Sequence, residues 1–189
     1  IMQQHENDAR GRNFGFEVVQ RLEGNIGYWK LNEIPSMHVA EKMVNAVITL
    51  LENTEAIILD LRDCRGGVAA TVQYIASIFL EPNLSLSGIQ RRDGSQHTVS
   101  TLDSISGTRL TDKALIILIS GRTFSAAEAL AYDLQVHQRA TIIGDNSRGG
   151  AHLSDFFPID GKWLLRLPVA RALNPLTNDN WEGKGIIPD

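Results

Sequence analysis

Two short apolar-rich segments flank a Gly-Asn pair near the start of the chain, and soon afterwards apolar positions recur every three or four residues. Phe16, Val18 and Gln20 to Leu22 read as one strand and Ile26–Leu31 as a second, with Gly24-Asn25 supplying a tight turn between them. Over residues 35–53, apolar side chains fall at Met37, Ala40, Met43, Val44, Val47 and Leu51, the stripe of one helical face. Residues 56–61 form a short continuous apolar run, which predicts a strand covered on both faces; Gly66-Gly67 and a helix over about 68–80 follow. The order then recurs in the strand Ala114–Ile119, a helix over about 125–136 and the strand Thr141-Ile142-Ile143. Asp93-Gly94 separates segments 84–92 and 97–100, and Asp160-Gly161 separates 156–159 and 163–167, so each pair marks a hairpin. Strands alternating with helices predict an α/β fold with a largely parallel core sheet.

Composition narrows this picture. A chain of 189 residues with 43% hydrophobic content can bury one substantial core. We read a single domain over 14–189, preceded by a polar leader or linker over 1–13 that lacks the apolar residues to order itself. The net charge of −4, from 18 basic and 22 acidic residues, supplies no basic field and excludes nucleic acid as an expected partner. Cys64 is the only cysteine, so no internal disulfide can form. No run approaches the ~18 consecutive apolar residues of a membrane span, and the first residues lack the apolar core of a secretory signal.

Two loops carry candidate chemistry. In a parallel sheet, ligands gather beyond the carboxyl ends of strands, where loops enter helices whose first amides lack internal partners. One such loop is Asp60-Leu61-Arg62-Asp63-Cys64-Arg65-Gly66-Gly67, whose paired glycines let backbone amides approach a ligand closely. The other, Ser120-Gly121-Arg122-Thr123-Phe124-Ser125-Ala126-Ala127-Glu128, sets a serine at a helix start, where unpaired amides favour a developing negative oxygen. Ser125-Ala126-Ala127-Glu128 is equally a capping box, so spacing alone admits both a nucleophile and a helix cap.

Taken together these segments resemble the C-terminal processing (tail-specific) serine peptidases, and in motif most closely their tricorn-core and interphotoreceptor retinoid-binding branch. Asp60-Leu61-Arg62 with Gly66-Gly67 looks like the family's Asp-Leu-Arg loop, and Thr123 to Glu128 like its nucleophile segment. Asn174-Pro175, Asn180-Trp181-Glu182-Gly183 and Gly185 to Pro188-Asp189 look like the closing motif of that branch. The resemblance implies repeated ββα units of the Clp protease and crotonase type. It also implies Ser125 as nucleophile, with the oxyanion held by the amides of Gly66 or Gly67 and of Ala126. A polypeptide substrate, cleavage near C-termini, no cofactor and a cell-envelope or secreted location follow from the same resemblance.

The departures concern the base that a serine hydroxyl needs at neutral pH. Where the bacterial branch carries Gly-Lys-Gly, this chain reads Gly149-Gly150-Ala151, and where the tricorn branch has an early histidine it has Lys30. Cys64 stands at a usual asparagine. His152 lies two residues beyond the missing lysine, and residues two apart on an extended strand share a face. His152 is therefore the preferred base and Lys30 the second candidate, while Glu182 matches the tricorn-type acid, which the resemblance implies orients a base or binds a substrate amine. Arg62 and Asp60 read as a structural ion pair, and His5, His38, His97 and His137 lack metal-ligand spacing. Trp29, Trp163 and Trp181 read as packing residues. Loss of both familiar bases leaves a second reading, a non-catalytic module binding hydrophobic ligands or peptides. An acyl-CoA enzyme follows from fold analogy alone.

Overall fold

Two sheets organise the chain in a computed structural model that describes residues 8–189. In chain order the elements are β1 (Phe16–Leu22), β2 (Ile26–Leu31), α1 (Met37–Leu51), β3 (Ala56–Asp60), α2 (Ala69–Phe79), β4 (Ser85–Arg91), β5 (Gln96–Ser100), β6 (Ala114–Ile119), α3 (Ala126–Val136), β7 (Thr141–Gly144), β8 (His152–Ile159) and β9 (Trp163–Leu173). Of the polar segment 1–13, residues 1–7, including His5, lie outside the described residues; residues 8–11 are helical and lead into the 3-10 turn Asn13–Gly15.

The first sheet has the order β1-β2-β3-β6-β7. β1 and β2 form the expected hairpin, and β2, β3, β6 and β7 run parallel. Alternation along these strands points Trp29, Leu31, Ile57, Leu59, Ile117 and Ile142 into the core, each fully buried. Burying a side chain of this size is worth about 1.5–3 kcal/mol, so this face dominates the stability of the sheet. The apolar runs predicted two covered faces, but Ile58, Ile116 and Leu118 on the other face are only half-buried. α1 packs on β1 and β2, and α2 lies between α1 and α3.

The second sheet, β5-β4-β9-β8, is antiparallel throughout. Both hairpins read from the Asp-Gly pairs are present, and pairing of β4 with β9 joins them into one sheet. β8 and β9 extend past the predicted segments and project as a ribbon whose Phe156, Trp163 and Leu164 are exposed. Trp163, expected to pack, is 72% exposed at the ribbon's end, whereas Trp29 and Trp181 are buried.

Candidate active site

The two loops singled out in the sequence leave the carboxyl ends of adjacent parallel strands, β3 and β6, and are stitched together along their length. Thr123 Oγ1 donates to the Leu61 carbonyl at 2.9 Å, Ser120 Oγ to that of Arg62 at 2.6 Å, and the Phe124 amide to that of Cys64 at 3.1 Å. Arg122 adds an ion pair to Asp63. At the root of the first loop, Asp60 has no exposed side-chain surface and accepts from Arg62 Nε at 3.0 Å, Arg62 NH2 at 2.7 Å and the Tyr28 hydroxyl at 2.6 Å. Burial opposes ionisation of Asp60, but these hydrogen bonds outweigh it and hold the carboxyl down at about 2. Asp60 and Arg62 thus anchor the loop, as the ion-pair reading expected.

Ser125 begins α3 with φ 56° and ψ −120°. A non-glycine residue holds such a conformation only where its surroundings enforce it. Glu128, fully buried, does so by accepting the Ser125 amide on Oε2 at 2.7 Å. The reciprocal arm, in which the Glu128 amide points to the Ser125 hydroxyl oxygen, has the placement of a capping box without closing a full hydrogen bond. Gly66 enforces the turn from the other side: a Cβ there would stand 2.7 Å from the Phe124 carbonyl and 2.9 Å from Ser125 Cβ. Only a glycine permits so close an approach, and at φ +95° it also adopts the backbone most readily.

Glu128 does more than cap. Its Oε1 accepts from Ser147 Oγ at 2.6 Å and the Gly149 amide at 2.6 Å, and its Oε2 also accepts the Gly150 amide at 3.0 Å. One buried carboxylate therefore ties the nucleophile turn to the segment entering β8. The closing motif secures that segment from outside, with Trp181 Nε1 donating to the Gly150 carbonyl at 3.1 Å and the Gly183 amide to that of Gly149 at 3.0 Å. Sequence reasoning missed this role; Ser-x-x-Glu spacing signalled only a cap, and nothing marked Ser147.

Ser125, Ala126, Gly67 and His152 line one pocket of about 360 Å³, with Ser87 and Ala172 of the second sheet opposite. The amides of Gly67 and Ala126 have no acceptor among the described residues. Gly66 is not part of this wall. Glu182 Oε2 accepts the amides of Ala151 at 2.6 Å and His152 at 3.1 Å, which brings Oε1 to 3.6 Å from His152 Nδ1. Lys30 lies outside the pocket wall; its ammonium pairs with Asp63 at 2.7 Å, and that bond raises its pKa. Position 150 has no room for a lysine either, since a Cβ on Gly150 would sit 2.1 Å from the Phe124 ring. Burial pushes the Cys64 thiol up to about 12, so it is inert. Among the described residues no His, Cys, Asp and Glu cluster of metal-binding form occurs, and no helix is long and apolar enough to cross a membrane.

Residues 25–189 match the family described as Peptidase family S41. The chain belongs to peptidase family S41. This S41 chain is 32% identical over 177 residues to a carboxy-terminal-processing protease of Bartonella bacilliformis, covering 91% of its own length and 40% of that protein. It is 30% identical over 166 residues to a carboxyl-terminal-processing protease of a Synechocystis species, covering 87% of itself and 37% of the relative. The S41 chain thus spans about two-fifths of the length of these relatives. Its backbone superposes on the solved photosystem II D1 C-terminal processing protease with a TM-score of 0.73 at 20% identity, over 89% of this chain and 44% of that one. At that identity the likeness establishes the fold, which is the S41 arrangement related to the Clp protease and crotonase type.

Proposed function

We propose that this chain carries the catalytic core, over 14–189, of a serine endopeptidase that cleaves polypeptides near their C-termini. The observation that carries the proposal is the strained Ser125 at a helix start, sharing one pocket with two acceptor-free amides and with His152. In this reading Ser125 Oγ attacks the scissile carbonyl carbon while its proton passes to the His152 imidazole, which Glu182 orients. The amides of Gly67 and Ala126 hold the resulting oxyanion; such a donor is typically worth about 10²–10³ in rate. Collapse of the tetrahedral intermediate breaks the C–N bond, and His152 returns the proton to the leaving amine. Water then repeats the sequence on the acyl-enzyme and releases the acid.

The test is labelling by a serine-reactive fluorophosphonate, comparing the chain with Ser125→Ala. Labelling confined to the parent supports an activated Ser125. Equal labelling of both, or of neither, overturns the assignment and returns the chain to a non-catalytic binding module. We extend to the protein the cell-envelope or secreted location that the resemblance implies, which cell fractionation checks.

A further inference from the structure

A second pocket, of about 320 Å³, opens on the far side of His152. Arg91, Arg92, Arg171, Gln90 and His152 contribute to its wall, and no Asp or Glu does. On a chain of net charge −4, three guanidinium groups around one cavity without a carboxylate among them call for a reason. Elsewhere, Arg62 holds Asp60, Arg122 holds Asp63, and Arg109 and Arg139 collect main-chain carbonyls. Asp93, the acid nearest in sequence to Arg91 and Arg92, accepts the amide and hydroxyl of Ser95 on Oδ1; the Arg91 charge is near enough to favour its ionised form, but the two form no ion pair.

Arg171 is held ready rather than loose. It lies directly across from Gln90 on β4 and from His152 on β8, so the three form one row across adjacent strands and share a face of the sheet. Its Nε donates to Gln90 Oε1 at 2.8 Å, while its terminal nitrogens have no acceptor among the described residues. A guanidinium fixed at Nε with its terminal nitrogens open suits a carboxylate, which takes paired charge-assisted hydrogen bonds. His152 lies on the edge strand β8 and lines both this cavity and the Ser125 pocket, so a chain seated at Arg171 reaches Ser125 by passing round that edge rather than across one face.

We propose that the Arg91, Arg92 and Arg171 pocket is a substrate subsite for a carboxylate of the polypeptide, placed beside the reacting centre. The proposal rests on the peptidase reading for the identity of its ligand. A carboxylate held at Arg171 sets the adjoining residues of the peptide against His152, so a terminal carboxylate in this site leads to the release of short C-terminal fragments.

The experiment measures binding without turnover. Ser125→Ala protein is titrated with one fluorescein-labelled apolar decapeptide in three forms: free C-terminal acid, C-terminal amide, and amide with glutamate as the last residue. The free acid is expected to bind about tenfold or more tightly than the plain amide, the scale of one charge-assisted contact. Adding Arg171→Gln brings the acid down to the affinity of the amide, and Arg91→Gln, an exposed change that leaves the Arg171–Gln90 bond in place, narrows the gap. Recovery of tight binding by the glutamate amide assigns the site to side-chain carboxylates as well as terminal ones. Equal binding of acid and amide, or no binding of the acid at millimolar concentration, overturns the subsite. So does a preference that survives both arginine changes in variants whose melting temperatures match the parent. Wild-type hydrolysis of the same peptides is scored separately. Acid-selective binding with no hydrolysis defeats the peptidase reading alone, whereas hydrolysis indifferent to the terminus defeats the subsite alone.

Discussion

Glu128 accepts the main-chain amide of Ser125 at 2.7 Å, from a position with no exposed surface. The same carboxylate takes three more donors from Ser147, Gly149 and Gly150, so the proposed nucleophile and the approach to His152 share one anchor. Glu128→Gln keeps the size but turns one acceptor into a donor that faces donors. It is expected to destabilise the fold by about 1–3 kcal/mol, the cost of a buried group left unsatisfied. Activity should fall further than stability explains, with kcat reduced more than KM is raised. Urea denaturation and steady-state kinetics on the same variant separate the two losses.

The two loop glycines should fail differently. A methyl on Gly66 meets the Phe124 carbonyl at 2.7 Å, in the turn that presents Ser125, and is strained at φ +95°, so Gly66→Ala is expected to fold with lowered stability and to lose more kcat than that loss explains. A methyl on Gly67 meets the Ile34 carbonyl at 1.9 Å, where a parallel bridge fixes the loop to the main chain before α1. Gly67→Ala is therefore expected to lose folding and activity together, by more than the ~1 kcal/mol of ordinary glycine replacements. Melting temperatures beside kcat values distinguish the outcomes.

His152→Ala is expected to reduce kcat by about 10²–10⁴, the range for loss of a general base, while Lys30→Met spares most of the rate because the Lys30 ammonium serves Asp63. Gly150→Lys should not rescue His152→Ala, since the Phe124 ring occupies that side of position 150. Rate loss in Lys30→Met with His152→Ala active would reverse the assignment.

Asp133 gives a pH signature. Burial raises its carboxyl to about 6, although Ser87 Oγ at 2.6 Å, the Ser87 amide at 2.9 Å, Asn174 Nδ2 at 3.0 Å and the nearby His137 all favour the charged form. The folded chain therefore binds this proton more tightly than the unfolded chain does. The stability so gained is complete below pH 3.8 and is lost as pH rises through about 6. Asp133→Asn, which stays neutral, should abolish that decline and be more stable than the parent at pH 7 by about 1–3 kcal/mol. Chemical denaturation at pH 4.5 and pH 7 checks it; parallel pH dependence in both proteins refutes the assignment.

Much of this architecture was legible from residues. The 3.6 period over α1 marked one buried helical face, and the continuous apolar runs of β3 and β6 located the parallel sheet although their second faces are only half-buried. The Gly66-Gly67 and Ser125 loops were readable as neighbours because both follow strands of that sheet. Union of the two hairpins through β4 and β9 was not, since Gln90 and Arg171 are 81 residues apart and pairing at that distance leaves no local mark. For the same reason Ser-x-x-Glu disclosed a cap but concealed Ser147, Gly149 and Gly150, whose bonds to Glu128 exist only after the chain returns.

The pocket walls come from separate layers, with Ser125, Ala126 and Gly67 on the parallel sheet's loops and Ser87, His152 and Ala172 on the antiparallel sheet. Any slight parting of the layers on heating widens this cleft while every strand keeps its neighbours. Heat inactivation should then run ahead of the loss of circular dichroism, and amides of β8 should exchange with solvent sooner than those of β3 and β6.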